Sequence, residues 1–119
     1  MDIWKHGTHI DLWSFVHLLS GALLALGFYG LGFNFVLAAG ISMILLIVWE
    51  VFEWAVRIIE SSVNVAVDVG IGILGFGVGA YWHYVLEEPY NASAFSVLLF
   101  VTLGMALWGF IDFHFRGYR

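Results

Sequence analysis

The sequence contains no cysteine, a single proline and only four basic residues among 119. Without cysteine there is no disulfide, no thiolate nucleophile and no thiolate metal site. The lone proline, Pro89, leaves long stretches with nothing to interrupt a helix. With Lys5, Arg57, Arg116 and Arg119 as its only bases, the chain has no patch that could neutralise phosphates, so a nucleic-acid partner is not expected. Charged residues of either sign make up only 11% of the chain, and nine acids against four bases give a formal net charge of −5.

What is abundant is apolar surface. Hydrophobic residues make up 62% of the chain, and its mean hydropathy is +0.95. A water-soluble domain of this length could not bury so much. Four apolar runs, about 12–30, 35–58, 64–86 and 94–111, each approach the ~20 residues that a bilayer requires. The sequence therefore predicts an all-α polytopic membrane protein, 1–119 as one domain, with four transmembrane helices in an antiparallel up-down bundle. The first run is followed by three more, so it is expected to remain a span and not to act as a cleaved signal.

The connectors carry helix-boundary chemistry. Trp4 and Lys5 read as an interfacial anchor, and Thr8 with Asp11 as a helix-start cap. Gly30-Leu31-Gly32-Phe33-Asn34 reads as a tight turn in which Asn34 caps the second helix. Ser61 or Ser62 caps the third helix, and Glu87 to Asn91 form a polar loop before the fourth. Asn91-Ala92-Ser93 matches a glycosylation acceptor, but so short a pattern carries no weight. All four bases fall on one side of the bundle, and the opposite loops carry only Glu87 and Glu88, so both termini are expected in the cytoplasm.

The ionisable residues are few, and they gather at one level. The 15 residues from Asn34 to Val48 carry no charge and lead into Trp49-Glu50-Val51-Phe52-Glu53-Trp54. Three residues apart on a helix, the two glutamates sit roughly 60° apart on one face. Ser42, Leu46, Glu50, Glu53, Arg57 and Glu60 follow one stripe, and Glu53 to Arg57 is the favourable order for an ion pair. His17 lies a turn or two into the first span, Asn64 and Asp68 begin the third, and Asp112 and His114 end the fourth. The topology brings all of them to the cytoplasmic half; His83 belongs to the other surface, beside Trp82 and Tyr84. On the third span Asp68, Gly72, Gly75 and Gly79 share a face on which another helix backbone can come close.

Several chemistries compete for this cluster. A carboxylate at mid-membrane costs on the order of 3 kcal/mol even on lenient scales, so acids placed there are paired, protonated or ligand-bound. Acids and a histidine converging in a low-dielectric bundle can bind a cation, exchange a proton or hold a polar headgroup. The structural alternative is a polar knot: Glu53 paired with Arg57, Glu50 bonded to His17, and Asp68 capping a helix. The acids outnumber the nearby base, which favours a ligand. A divalent metal could be held by His17, Glu50 and Glu53. The di-iron pattern of helical bundles is absent, because no Glu-x-x-His occurs. A haem between His17 and His114 would need both at one depth, whereas His114 falls at the membrane edge, so haem is not expected. Ser14 and Ser20 flank His17 within one helix, and nothing suggests an oxyanion hole for a nucleophilic triad.

His17-x-x-x-Gly21, Trp49-Glu50-x-x-Glu53 and Asn64-x-x-x-Asp68 followed by Gly75 and Gly79 resemble the VanZ-like membrane proteins and the related small YjdF-type bacterial inner-membrane proteins. The resemblance covers roughly Asp11 to Gly79; the fourth span carries no family motif. Two positions depart from the pattern: VanZ-like chains usually have Asn where Gly72 stands, and YjdF-type chains usually have Asp where Asn64 stands. The resemblance implies a helical protein of the bacterial cell envelope, in the inner membrane, and for VanZ a link to low-level glycopeptide resistance. The expectation is a cytoplasm-facing pocket of His17, Glu50, Glu53, Arg57, Asn64 and Asp68 that binds a lipid headgroup, an envelope precursor or an ion. Two other classes remain: a small accessory subunit of a larger membrane complex, partnered or self-associated through the Gly72/Gly75/Gly79 face, and a metal-dependent membrane enzyme.

Overall fold

The computed structural model describes residues 12–55 and 62–116. The anchor at Trp4 and Lys5, the Thr8–Asp11 cap, Arg57, Glu60, Ser61 and Arg119 lie outside the described residues, as do the side chains of His114 and Arg116. The chain forms α1 (Leu12–Gly30), α2 (Phe35–Ala55), α3 (Ser62–Ala80) and α4 (Ala92–Arg116). A π-helical turn, Tyr81–Val85, extends α3. No strand occurs among the described residues. Four segments are long and apolar enough to cross a membrane: Leu12–Gly30, Phe35–Ala55, Ser62–Val85 and Ala92–Asp112.

The helix ends follow from their residues. Gly32 takes a positive φ of 85°, which lets the Phe33 amide donate to the Phe28 carbonyl and the Gly32 amide to the Tyr29 carbonyl. This closes α1 with a Schellman motif, and the Phe28 and Phe33 rings stack at 5.3 Å across it. Asn34 caps α2 as its sequence suggests, its Oδ1 accepting from the Leu37 amide at 2.8 Å. Asn91 does the same for α4, accepting from the Ala94 amide at 3.0 Å. The fourth helix continues past the end expected near residue 111 and runs to Arg116. Polar residues end a membrane span, but Asp112 to Arg116 contain no glycine or proline to end a helix.

Glycine decides the packing. A Cβ on Gly21 would strike the Gly72 carbonyl oxygen, and one on Gly75 would strike the Leu18 carbonyl oxygen. Thus α1 and α3 touch backbone to backbone, and the Gly72/Gly75/Gly79 face is filled from within the chain by α1. In lipid, where helices gain nothing from leaving water, such close packing is a main source of attraction. Helix α2 leans on this pair along a buried stripe of Ala38, Ser42, Leu46 and Glu53. Helix α4 joins through Phe110, whose ring meets Trp13 edge-on at 5.3 Å and Trp49 at 6.0 Å. The outward faces of α2 and α4 are exposed and apolar, Val36, Ile44, Phe100 and Leu103 among them.

Candidate functional site

The contact between α1 and α3 also sets the position of two ionisable residues. His17 lies one turn before Gly21, and Asp68 one turn before Gly72. Because Gly21 and Gly72 meet backbone to backbone, His17 and Asp68 are held at one level directly beside that crossing. Both are buried, 2% and 1% exposed. Gly72 has a second role: a Cβ there would come within 2.8 Å of Leu46 Cδ2. Leu46 therefore fills the hollow above Asp68. It lies one turn before Glu50 on α2, so the apolar knob that seats α2 also lowers Glu50 toward His17. A larger residue at position 72 would push this knob out.

The resulting geometry is compact. His17 Nδ1 lies 2.7 Å from the Trp13 carbonyl oxygen. A carbonyl only accepts, so Nδ1 carries a proton and donates it. The other nitrogen, Nε2, faces the acids, 3.1 Å from Glu50 Oε1 and 3.6 Å from Glu53 Oε1. One donor atom each from His17, Glu50 and Asp68 lie within 4.8 Å of one another. Glu53 is 1% exposed, and Glu50 is half-buried at the edge of the group. Metal-ligating histidines commonly donate one ring N–H to a backbone carbonyl in this way and turn the other nitrogen to the ion.

The other expected residues fall into place unevenly. Asn64 is buried one turn before Asp68, and Asp112 is half-buried on α4. Ser42 is buried but lies two turns along α2 from Glu50. Sequence reading missed three features. The Trp13 carbonyl, as a main-chain acceptor, has no sequence signature. His83, expected only at the surface opposite the site, is packed inside the protein there: it is 3% exposed, its ring stacks on Tyr29 at 4.6 Å, and its Nδ1 donates to the Glu88 carbonyl at 2.9 Å. His83 stands four residues after Gly79, so it continues the buried face of Asp68, Gly72, Gly75 and Gly79. The third is a groove of about 410 Å³ between α1, α2 and α4, which has His17, Trp49 and Leu46 at one end and Phe28 and Leu31 at the other.

Chemically the group is acid-rich. It presents three carboxylates and one imidazole. Taking an ion out of water costs several kcal/mol even after relaxation, so buried carboxylates are stabilised by positive charge brought beside them. The spacing suits two kinds of cation. Ligands around a tetrahedral metal at about 2.1 Å stand about 3.4 Å apart. Acceptors around an ammonium nitrogen at about 2.9 Å stand about 4.7 Å apart. The observed separations, from 3.1 Å up to the 4.8 Å limit, bracket both. Comparison of the chain with models of known protein families, with curated proteins and with solved structures found no match to any of them.

Proposed function

We propose that this chain is a VanZ-like integral membrane protein that holds a positively charged ligand, a divalent metal ion or an ammonium group, in a buried site on the cytoplasmic half of the bilayer. One observation carries the reading: donor atoms of His17, Glu50 and Asp68 lie within 4.8 Å of one another, with Glu53 Oε1 3.6 Å from His17 Nε2. Histidine and carboxylate together suit zinc or manganese, and the same oxygens accept from an ammonium group. The resemblance at His17-x-x-x-Gly21, Glu50-x-x-Glu53 and Asp68 supports the family, and with it the bacterial inner membrane. The placement of Lys5, Arg57, Arg116 and Arg119 supports the cytoplasmic side.

The test is a titration of the protein, purified in mild detergent, with Mn²⁺, Zn²⁺ and methylammonium, followed by calorimetry and native mass spectrometry. The expected result is one equivalent of at least one of these cations. Its affinity should fall about tenfold or more in Glu50→Gln and Asp68→Asn, as when groups around a bound metal are removed. Variants that bind as wild type does, or a wild type that binds none of the three, would remove the reading.

A further inference from the structure

Resting on the cation-site reading, we infer that the ligand is the amine end of a single-chain amphiphile dissolved in the bilayer, with its tail lying in the groove between α1, α2 and α4. The groove adjoins the polar group at the His17 ring, which lines the groove and meets Glu50 at 3.1 Å. From His17 the groove follows α1 to Leu31, 14 residues and about 21 Å on at helical rise. A volume of about 410 Å³ drawn out over that length is narrow, and takes one hydrocarbon chain lengthwise. Its walls are apolar apart from His17, Ser20 and Thr102, and the Thr102 hydroxyl is already donated to the Leu98 carbonyl at 2.7 Å. Leu45, Leu99 and Leu103 on its rim are exposed on surfaces that face lipid in a bilayer. A ligand entering here comes sideways from the membrane.

Charge and depth select the head. A phosphate or carboxylate would add negative charge beside Glu50, Glu53 and Asp68, which low dielectric penalises. An ammonium group offers three donors, and carboxylate oxygens accept them. His17 stands five residues into α1, about 8 Å inside the helix end. A bulky zwitterionic headgroup belongs at the membrane surface, whereas a small amine can follow its own tail to this depth.

The experiment uses the protein in phosphatidylcholine vesicles with a long-chain primary amine bearing a photoactivatable diazirine in its tail. Cross-links are mapped by mass spectrometry. They are expected to concentrate on groove residues such as Leu23, Leu99 and Leu103. An excess of unlabelled amine should reduce them at least fivefold, and the carboxylic acid of equal length should not. Leu99→Trp, which fills the groove, should lose the cross-links and keep the binding of whichever small cation, Mn²⁺ or methylammonium, wild type takes. Cross-links spread evenly over lipid-facing residues such as Ile44 and Phe100, or equal competition by acid and amine, would overturn the amphiphile. If small-cation binding persisted in that case, and stayed sensitive to Glu50→Gln, the cation site would stand without it. If neither probe responded to Glu50→Gln, both readings would fall together.

Discussion

At the scale of the residue, His17 is the pivot. Its Nδ1 proton is given to the Trp13 carbonyl, so Nε2 is the atom that meets Glu50 and Glu53. In the absence of a ligand one proton must lie between Nε2 and the acids, whichever of them formally owns it. Removing the ring takes away the partner that Glu50 meets at 3.1 Å and Glu53 at 3.6 Å. His17→Ala should therefore cost about 3 kcal/mol or more, the scale of breaking a buried pair. Glu50→Gln keeps a hydrogen-bond partner for Nε2 and should cost about 1 kcal/mol. Thermal unfolding in detergent without added cation checks the order, and a Glu50→Gln protein less stable than His17→Ala would contradict it. This pair was legible in the sequence because ionisable groups are so scarce in the spans that few combinations exist. The inward side of His83 was legible too, one step of four beyond Gly79, but its partners Tyr29 and Glu88 were not, because local pattern does not say which distant residues meet a face.

At the scale of the element, the glycines of α3 separate into two kinds that the sequence writes alike. Gly75 meets the Leu18 main chain, whereas a Cβ on Gly70 would have nothing within 4 Å. Backbone cannot step aside as a flexible side chain does, so Gly75→Ala must drive α1 from α3 and should cost at least the 1–3 kcal/mol typical of overpacking. Gly70→Ala gains helix propensity on an open face and should be neutral or stabilising, by up to about 1 kcal/mol. Gly75→Ala should unfold well before wild type and Gly70→Ala should not; equal shifts would show that this crossing is not so close. The same reasoning ties packing to the site. If α1 and α3 part, His17 and Asp68 part with them, and cation binding should weaken in Gly75→Ala though no ligand has been touched. The sequence marked Asp68, Gly72, Gly75 and Gly79 as one close-approach face, and that was right. It offered the face to a partner or second copy, whereas the structure seats α1 there, since only three-dimensional contact says which helix fills a seam.

At the scale of the whole molecule, the long dimension of 44 Å matches a bilayer with its headgroup regions, about 40–45 Å thick. The span limits were largely readable from hydropathy and glycine, as α1 from Leu12 to Gly30 illustrates. The groove was not readable, because it exists only where α2 and α4 stand away from α1, and local pattern says nothing of such gaps. Orientation is where sequence and site depend on each other most. If the basic residues set the topology, the connectors around 31–34 and 86–91 face away from the cytoplasm, and the polar group lies toward it. The chain has no cysteine, so single cysteines can be introduced without background. Leu31→Cys and Glu88→Cys, in exposed connectors, should react in intact cells with a membrane-impermeant maleimide. Tyr118→Cys should react only after the membrane is opened. The reverse pattern would put the site on the outer half, where a cation or amine would have to come from outside the cell. Labelling of Leu31→Cys and Tyr118→Cys from the same side would contradict four crossings altogether, since three spans lie between those positions and an odd number must separate their faces.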